Sequence, residues 1–201
     1  YEDDILKETG LITFSEKGCY DKFWNRAMFP IMDVHNRVIG FGGRVMGEGE
    51  PKYLNSPETK IFDKSRNLFG LNIARTTKKN QLLLCEGYMD VLAYHQCGLG
   101  HAVAPLGTAL THDQIKLVQP FVEEIYLSFD SDRAGRAATL KAILMCRQSD
   151  IPVRIISLKG GKDPAEIMVN FGADVLTNFV NDAKIDGDYL LSFLATEHQI
   201  D

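Results

Sequence analysis

The chain has 201 residues, 45% of them hydrophobic and 24% charged, which fits a globular protein of one large or two small domains. No apolar run reaches the roughly 18 residues of a membrane-spanning helix, so no membrane partner is expected. The net charge of −5 hides an asymmetry: residues 22–79 carry six Lys and five Arg against five acids, while both flanks are acidic. Such a basic middle suggests a local polyanion surface beside an acidic, metal-binding centre; a solvated surface of uneven charge is the alternative.

The chain opens on Tyr1 rather than Met and shows no signal-peptide pattern, so a piece of a longer protein is expected. Before Asn80 the pattern is of short β-type pieces and turns: "FPIMDV", "RVIGFGGRVM", then "GEGEPKYLNSPETKIF". Asn36 and the Gly40–Gly43 run read as turn or bulge positions, and Gly40, Gly42 and Gly43 equally as places of close backbone approach. This predicts a small basic α+β subdomain over residues 1–80, with the polar "TTKKNQ" as its boundary. From there strands and helices alternate. "LLLCE", "HAVAPLG", "IYLSFD" and "VRIISLK" read as strands; "MDVLAYHQCG", "THDQIKLVQPF" and "AGRAATLKAILMCRQ" read as helices. Short Val/Ile/Leu-rich runs between amphipathic helices predict βαβ units and a parallel sheet over residues 81–172. The tail from Pro164 is helical in pattern. Cys19, Cys85, Cys97 and Cys146 are scattered without a CxxC pair, which argues against zinc and disulfides and fits a reducing cytoplasm.

Ligands of an open parallel sheet sit beyond the carboxyl ends of its strands. Glu86 ends the first strand, Asp130 the third, and Asp163 follows the fourth. Clustered carboxylates raise one another's pKa values unless a cation neutralises them, and hard oxygen ligands suit Mg²⁺ or Mn²⁺. Asp130 and Asp132 are expected on the same side of an extended segment, able to share an ion. Any single acid here also reads as the N-cap of the helix that follows; three strand ends and a paired DxD favour the metal. Arg133 and Arg136 read either as phosphate contacts or as surface ion-pair partners. Tyr53, Trp24 and Phe62 are candidates for stacking on bases, with core packing favoured for Trp24 because Phe23 and Phe29 are near. The five histidines have no HxxH spacing and read as structural.

"CEGYMDVLAYHQCG", "FDSDRAGRAA" and "GGKDPAE", in this order, resemble the TOPRIM fold of primases, topoisomerases and some nucleases. "MFPIMDVHNRVIGFGGRVM" and "PKYLNSPETKIFDKSRNLFGL" are similar to the basic subdomain of the bacterial replicative DNA primases, as are "EGYMDVLA" and "APLGTALT". The resemblance covers about residues 20–172. It implies an α/β fold in which a TOPRIM domain, Rossmann-like with a parallel sheet, follows the basic subdomain and precedes helices, residues 173–201 being the start of a helical subdomain. It further implies DNA-templated synthesis of short RNA primers by metal-dependent nucleotidyl transfer, in the cytoplasm. Glu86, Asp130, Asp132 and Asp163 match the family's catalytic and metal-holding acids, and Asp90 the second acid of EGYMD. Arg44, Lys52, Asn55 and Lys64 match positions that bind template, nucleotide or product. Implied partners are a single-stranded DNA template, nucleoside triphosphates, the RNA primer product and the replicative helicase, the last through a domain outside this chain. Ala165 stands where the family often has a second acid after the proline, with Glu166 next to it, so the number of metals stays open. Another TOPRIM enzyme that cuts phosphodiesters, or a binding module with vestigial acids, remain the alternatives. "PKYLNSPETKIF" argues against the first and the intact acid set against the second.

Overall fold

A computed structural model describes residues 2–16 and 18–198, with residues 196–198 by backbone alone. In the N-terminal part, α1 (Asp3–Thr9) leads into a hairpin of β1 (Ile12–Ser15) and β2 (Gly18–Asp21). A three-stranded antiparallel sheet follows: β3 (Arg26–Met32), β4 (Val38–Val45) and β5 (Tyr53–Asn55). The short α2 (Leu71–Ala74) then leads to the larger unit.

That unit comprises β6 (Gln81–Cys85), α3 (Tyr88–Gln96), β7 (Ala102–Val103), α4 (His112–Val118), β8 (Glu124–Ser128), α5 (Arg133–Arg147) and β9 (Val153–Ile155). It continues with α6 (Pro164–Phe171), α7 (Ala173–Asn181), β10 (Lys184–Ile185) and α8 (Asp186–His198). The sheet order is β10-β9-β8-β6-β7, parallel throughout except for β10. The expected α/β fold with a parallel-sheet core is therefore present. Residues 1 and 201, the outer limits of the expected domains, lie outside the described residues.

The two-faced burial of the sheet follows from its sequence. In β6, Leu82 and Leu84 join one core cluster, with Ile115 of α4 and Ile143 of α5. Leu83 and Cys85 join the other, with Val91 and Tyr94 of α3 and Ile167 of α6. With both faces apolar, the strand is a continuous hydrophobic run rather than an alternating one. Each fully buried Leu or Ile contributes about 1.5–3 kcal/mol relative to exposure. Such strands hold rigid the loops at their carboxyl ends.

Several expectations need correction. Of the Gly40–Gly43 run, Gly40 borders a bulge, since Ile31 pairs with Gly40 but Met32 with Val38, whereas Gly42 and Gly43 pair regularly inside β4. A Cβ at Gly42 would stand 2.6 Å from the Tyr88 ring, so glycine is required by close approach of α3. Trp24 is not core: it is 78% exposed, while its neighbour Phe23 is buried at 7%. The turn that carries Trp24 projects, with Asn25 at φ 52 and its side-chain amide donating to the Met46 carbonyl at 3.0 Å. Phe62, at 1% exposure, packs with Ile31, Tyr88 and Leu106 and cannot stack on a base. The strand expected over residues 101–107 pairs with β6 only at Ala102–Val103, and Ala104 bridges to Phe69 before Pro105, which has no N–H to give a ladder.

Candidate active site

The loops at the carboxyl ends of β6 and β8 face the three-stranded sheet across a cleft of about 330 Å³. Glu86, Asp90, Asp130 and Asp163 line it on one side, and Lys52, Tyr53 and Asn55 on the other. Lys162 stands between, with its Nζ 3.4 Å from Asp130 Oδ2.

Each acid is positioned by local chemistry. Glu86 follows the last residue of β6, and its Oε1 accepts the Asp130 N–H at 2.9 Å, which ties two strand ends together. Asp90 sits in the first turn of α3, where its Oδ2 accepts the Gly87 N–H at 3.1 Å. Asp163 caps α6 by accepting the Glu166 N–H at 2.8 Å. Glu166 in turn accepts the Lys162 N–H at 2.7 Å and is not part of the cleft lining, so it does not stand in for a second acid there.

Asp132 departs from expectation. The segment turns after Asp130, and Asp132 becomes the N-cap of α5, its Oδ1 accepting the Gly135 N–H at 2.9 Å. A Cβ at Gly135 would overlap the Asp130 carbonyl, so the turn itself depends on glycine there. Asp132 does not line the cleft, although its charge still reaches Glu86 and Lys162. Cap and ligand, opposed in the sequence, are not exclusive: a carboxylate that caps through one oxygen has another to offer.

The electrostatics are those of crowded carboxylates. Burial, then the charges of Asp163 and Asp130, pushes Asp90 up to about 7. Glu86 is raised, chiefly by burial and further by Asp130 and Asp132. Asp130 is raised by burial despite the opposing ion pair with Lys162. Asp132, exposed and bonded to the Gly135 N–H, is lowered. Among the described residues no three His, Cys, Asp or Glu side chains are gathered closely enough to hold a metal. In kind, however, the donors fit a hard divalent cation: all are oxygens, and their mutual repulsion lacks full compensation from Lys162.

On the basic side, Asn55 is engaged through both its amide nitrogen and its amide oxygen, donating to the Leu106 carbonyl at 2.9 Å and accepting from the Tyr88 hydroxyl. Arg44 and Lys52 both lie over the Tyr53 ring, at 5.8 and 5.9 Å from its centroid. Lys52 lines the cleft; Arg44 does not. Lys64 lies in a short 3-10 turn outside the cleft lining, where its carbonyl accepts from Gln114 at 2.9 Å. Arg136 donates to the Ser131 carbonyl at 2.7 Å, steadying the turn rather than pairing with an acid. The sequence reading gave no role to Lys162 or Tyr88. Both lie inside quoted motifs, yet only the fold shows that one meets Asp130 and the other meets Asn55.

The model of the DNA primase catalytic core, N-terminal domain, matches residues 1–75, and the Toprim-like model matches residues 83–168. The chain belongs to the DNA primase family. It is 44% identical to the DNA primase of Clostridium acetobutylicum over 96% of this chain and 32% of that protein. It is 43% identical to that of Treponema pallidum over 98% of this chain and 33% of that protein. The chain thus spans about a third of the curated primases it matches. Among solved structures, the DnaG primase catalytic domain bound to ssDNA superposes with TM-score 0.87 at 39% identity, covering 98% of this chain and 63% of that one. A DNA primase domain from Pseudomonas aeruginosa gives 0.88 at 37% identity, covering 98% and 65%. A Toprim-like unit in a primase implies use of a divalent metal.

Proposed function

We propose that this chain is the catalytic part of a primase that synthesises short RNA primers on single-stranded DNA by metal-dependent nucleotidyl transfer. The observation that carries the reading is the cleft itself: Lys52 and Tyr53 of the basic part face Glu86, Asp90, Asp130 and Asp163 of the Toprim-like part. In this reading residues 1–80 hold template and nucleotide, 81–172 carry the chemistry, and 173–201 begin a helical subdomain. The full protein reaches the replicative helicase through a domain outside this chain, and works at the cytoplasmic replication fork.

The 3′-hydroxyl of the growing strand attacks the α-phosphate of a nucleoside triphosphate, and pyrophosphate leaves. Mg²⁺ or Mn²⁺, when bound, supplies charge to the phosphate oxygens and acidifies the attacking hydroxyl. Glu86, Asp130 and Asp163 would hold it, with Asp132 contributing its uncommitted oxygen and Asp90 lending negative charge from the wall. Glu86 is the further candidate for accepting the hydroxyl proton, since burial raises its basicity. Lys162, beside Asp130 in the cleft lining, would face a phosphate of the bound nucleotide. Lys52 contacts phosphate across the cleft, Lys64 neutralises the template more remotely, and Arg44 constrains the Tyr53 ring. Asn55 acts by fixing β5 against Tyr88 and Leu106, which sets the width of the cleft.

Incubation with a single-stranded template, nucleoside triphosphates and Mn²⁺ tests this. Primer products that vanish with Asp130→Asn support it. Cleavage of the template would instead make this a phosphodiester-cutting Toprim enzyme, and binding alone would make it a non-catalytic module. The match of residues 1–75 to a primase-specific domain speaks against both.

A further inference from the structure

Strands β6 and β8 begin at the opposite edge of the sheet from the carboxylates, and there a second concavity of about 250 Å³ opens. Five residues of β6 separate the two sites, about 17 Å at the usual rise of a strand. The floor is apolar, formed by Ala74, Leu82, Phe121 and Val122. The rim carries Arg75, Lys78 and Lys79. None of the three is in a salt bridge among the described residues.

This rim is built rather than trailing. The Arg75 guanidinium lies 5.7 Å from the Phe121 ring centroid, stacked at the mouth of the concavity. Lys78 has φ 54, a backbone state that a non-glycine residue adopts at a cost of about 1 kcal/mol or more. Thr76 and Thr77 turn their hydroxyls back onto the Ile73 and Ala74 carbonyls at 2.7 and 2.8 Å. Asn80 pins the far end, its carbonyl accepting the Glu123 N–H at 2.6 Å and its amide donating to Glu123 Oε1 at 2.9 Å. Glu123 is thereby engaged outside the pocket lining.

We propose that this pocket binds a nucleoside phosphate unit, with the base over the apolar floor beside the Arg75–Phe121 pair and the phosphate on Arg75, Lys78 and Lys79. An apolar floor suits the flat face of a base. A planar guanidinium flanked by two ammonium groups suits phosphate oxygens. Two sources share this chemistry: a free nucleotide, or one residue of a nucleic-acid strand that passes behind the sheet. The site is separate from the cleft and does not depend on the reaction proposed there.

Binding of a short labelled oligothymidylate and of ATP, each across a salt series without divalent ions, tests the proposal on three variants. They are Arg75→Ala/Lys78→Ala/Lys79→Ala, Lys52→Ala, and the two combined. The triple variant is expected to weaken one probe by about three- to tenfold or more and to reduce its salt slope by roughly two to three. The loss should add to that of Lys52→Ala, as for independent sites. Loss with the oligonucleotide assigns the pocket to a strand, and loss with ATP alone to a free nucleotide; both support the site. Lys78→Gly guards against misfolding, because glycine suits the positive φ while the charge is removed. Unchanged affinity and slope for both probes in the triple variant, or in Lys78→Gly should the triple variant not fold, overturns the proposal. So does a loss that disappears in the Lys52→Ala background.

Discussion

Asp130 and Lys162 meet at 3.4 Å in a cleft that otherwise gathers negative charge. In the proposed reaction a divalent cation would compete with Lys162 for this carboxylate. Asp130→Asn removes that competition, and primer synthesis is expected to fall by on the order of 100-fold or more. The fold should survive, because the bond to Glu86 uses the backbone N–H of residue 130, which the substitution keeps. Circular dichroism beside the incorporation assay separates the two effects; loss of structure in the variant would refute the assignment. A different residue governs the acid side of the stability curve. His101 is buried, and burial, then Lys79 and His95, lowers its pKa to about 4. The folded value lies below the unfolded 6.5, so the unfolded chain binds more protons between them. Stability from this group is complete above pH 6.5 and is lost as pH falls toward 4. With solvent screening allowed for, about 2 kcal/mol is involved. Urea unfolding at pH 5 and pH 7.5 should show a smaller drop for His101→Gln than for the parent chain. Equal drops would show that His101 is not the group that titrates.

At the scale of elements, the junction of β4, β5 and α3 decides how the two halves of the cleft face each other. Tyr88 of α3 stacks on Phe29 at 5.4 Å, meets Phe69 edge-on at 4.7 Å, and donates its hydroxyl to Asn55. Gly42 makes room for that ring. Gly42→Ala should therefore cost about 1–3 kcal/mol, the usual range for overpacking, and should also weaken nucleotide binding, because Lys52 moves with β5. Thermal unfolding and a nucleotide titration would show both; full stability in the variant would mean that the junction gives way easily. Much of this scale was legible in the sequence. The β6, β8 and β9 runs show as buried strands because both faces are covered, and the three acid-bearing loops show because strand ends are where such sheets present ligands. The glycines of β4 were not legible, since glycine in a strand marks a bulge and a close approach alike until the opposing ring is known. Nor was β10, whose two residues pair antiparallel to β9 and carry no pattern of their own. Trp24 was misjudged for the same reason: neighbours in sequence do not say which of Phe23 and Trp24 turns inward.

Over the whole molecule, charge is divided as the chain is divided. The basic span 22–79 contains the antiparallel sheet, and the acidic remainder contains the carboxylate loops. Under the proposed function a polyanionic template would be attracted by one part and repelled by the other, so its backbone should track the basic part while the acids would meet only the reacting phosphates. This requires that the cations nearest the cleft act unequally. Lys52 lines the cleft, whereas Arg44 stands behind it over the same Tyr53 ring. Lys52→Ala should remove one phosphate contact and lower the slope of log affinity against log salt for single-stranded DNA by about 0.7. Arg44→Ala should leave that slope nearly unchanged and lower affinity through a less constrained Tyr53, by an amount that Tyr53→Ala abolishes in the double variant. Anisotropy of a labelled oligonucleotide across a salt series measures both quantities. Equal slope changes in the two variants would place Arg44 on the phosphates directly. No change in either would remove the basic face from template binding and leave the carboxylate loops as the sole support for the proposed reaction.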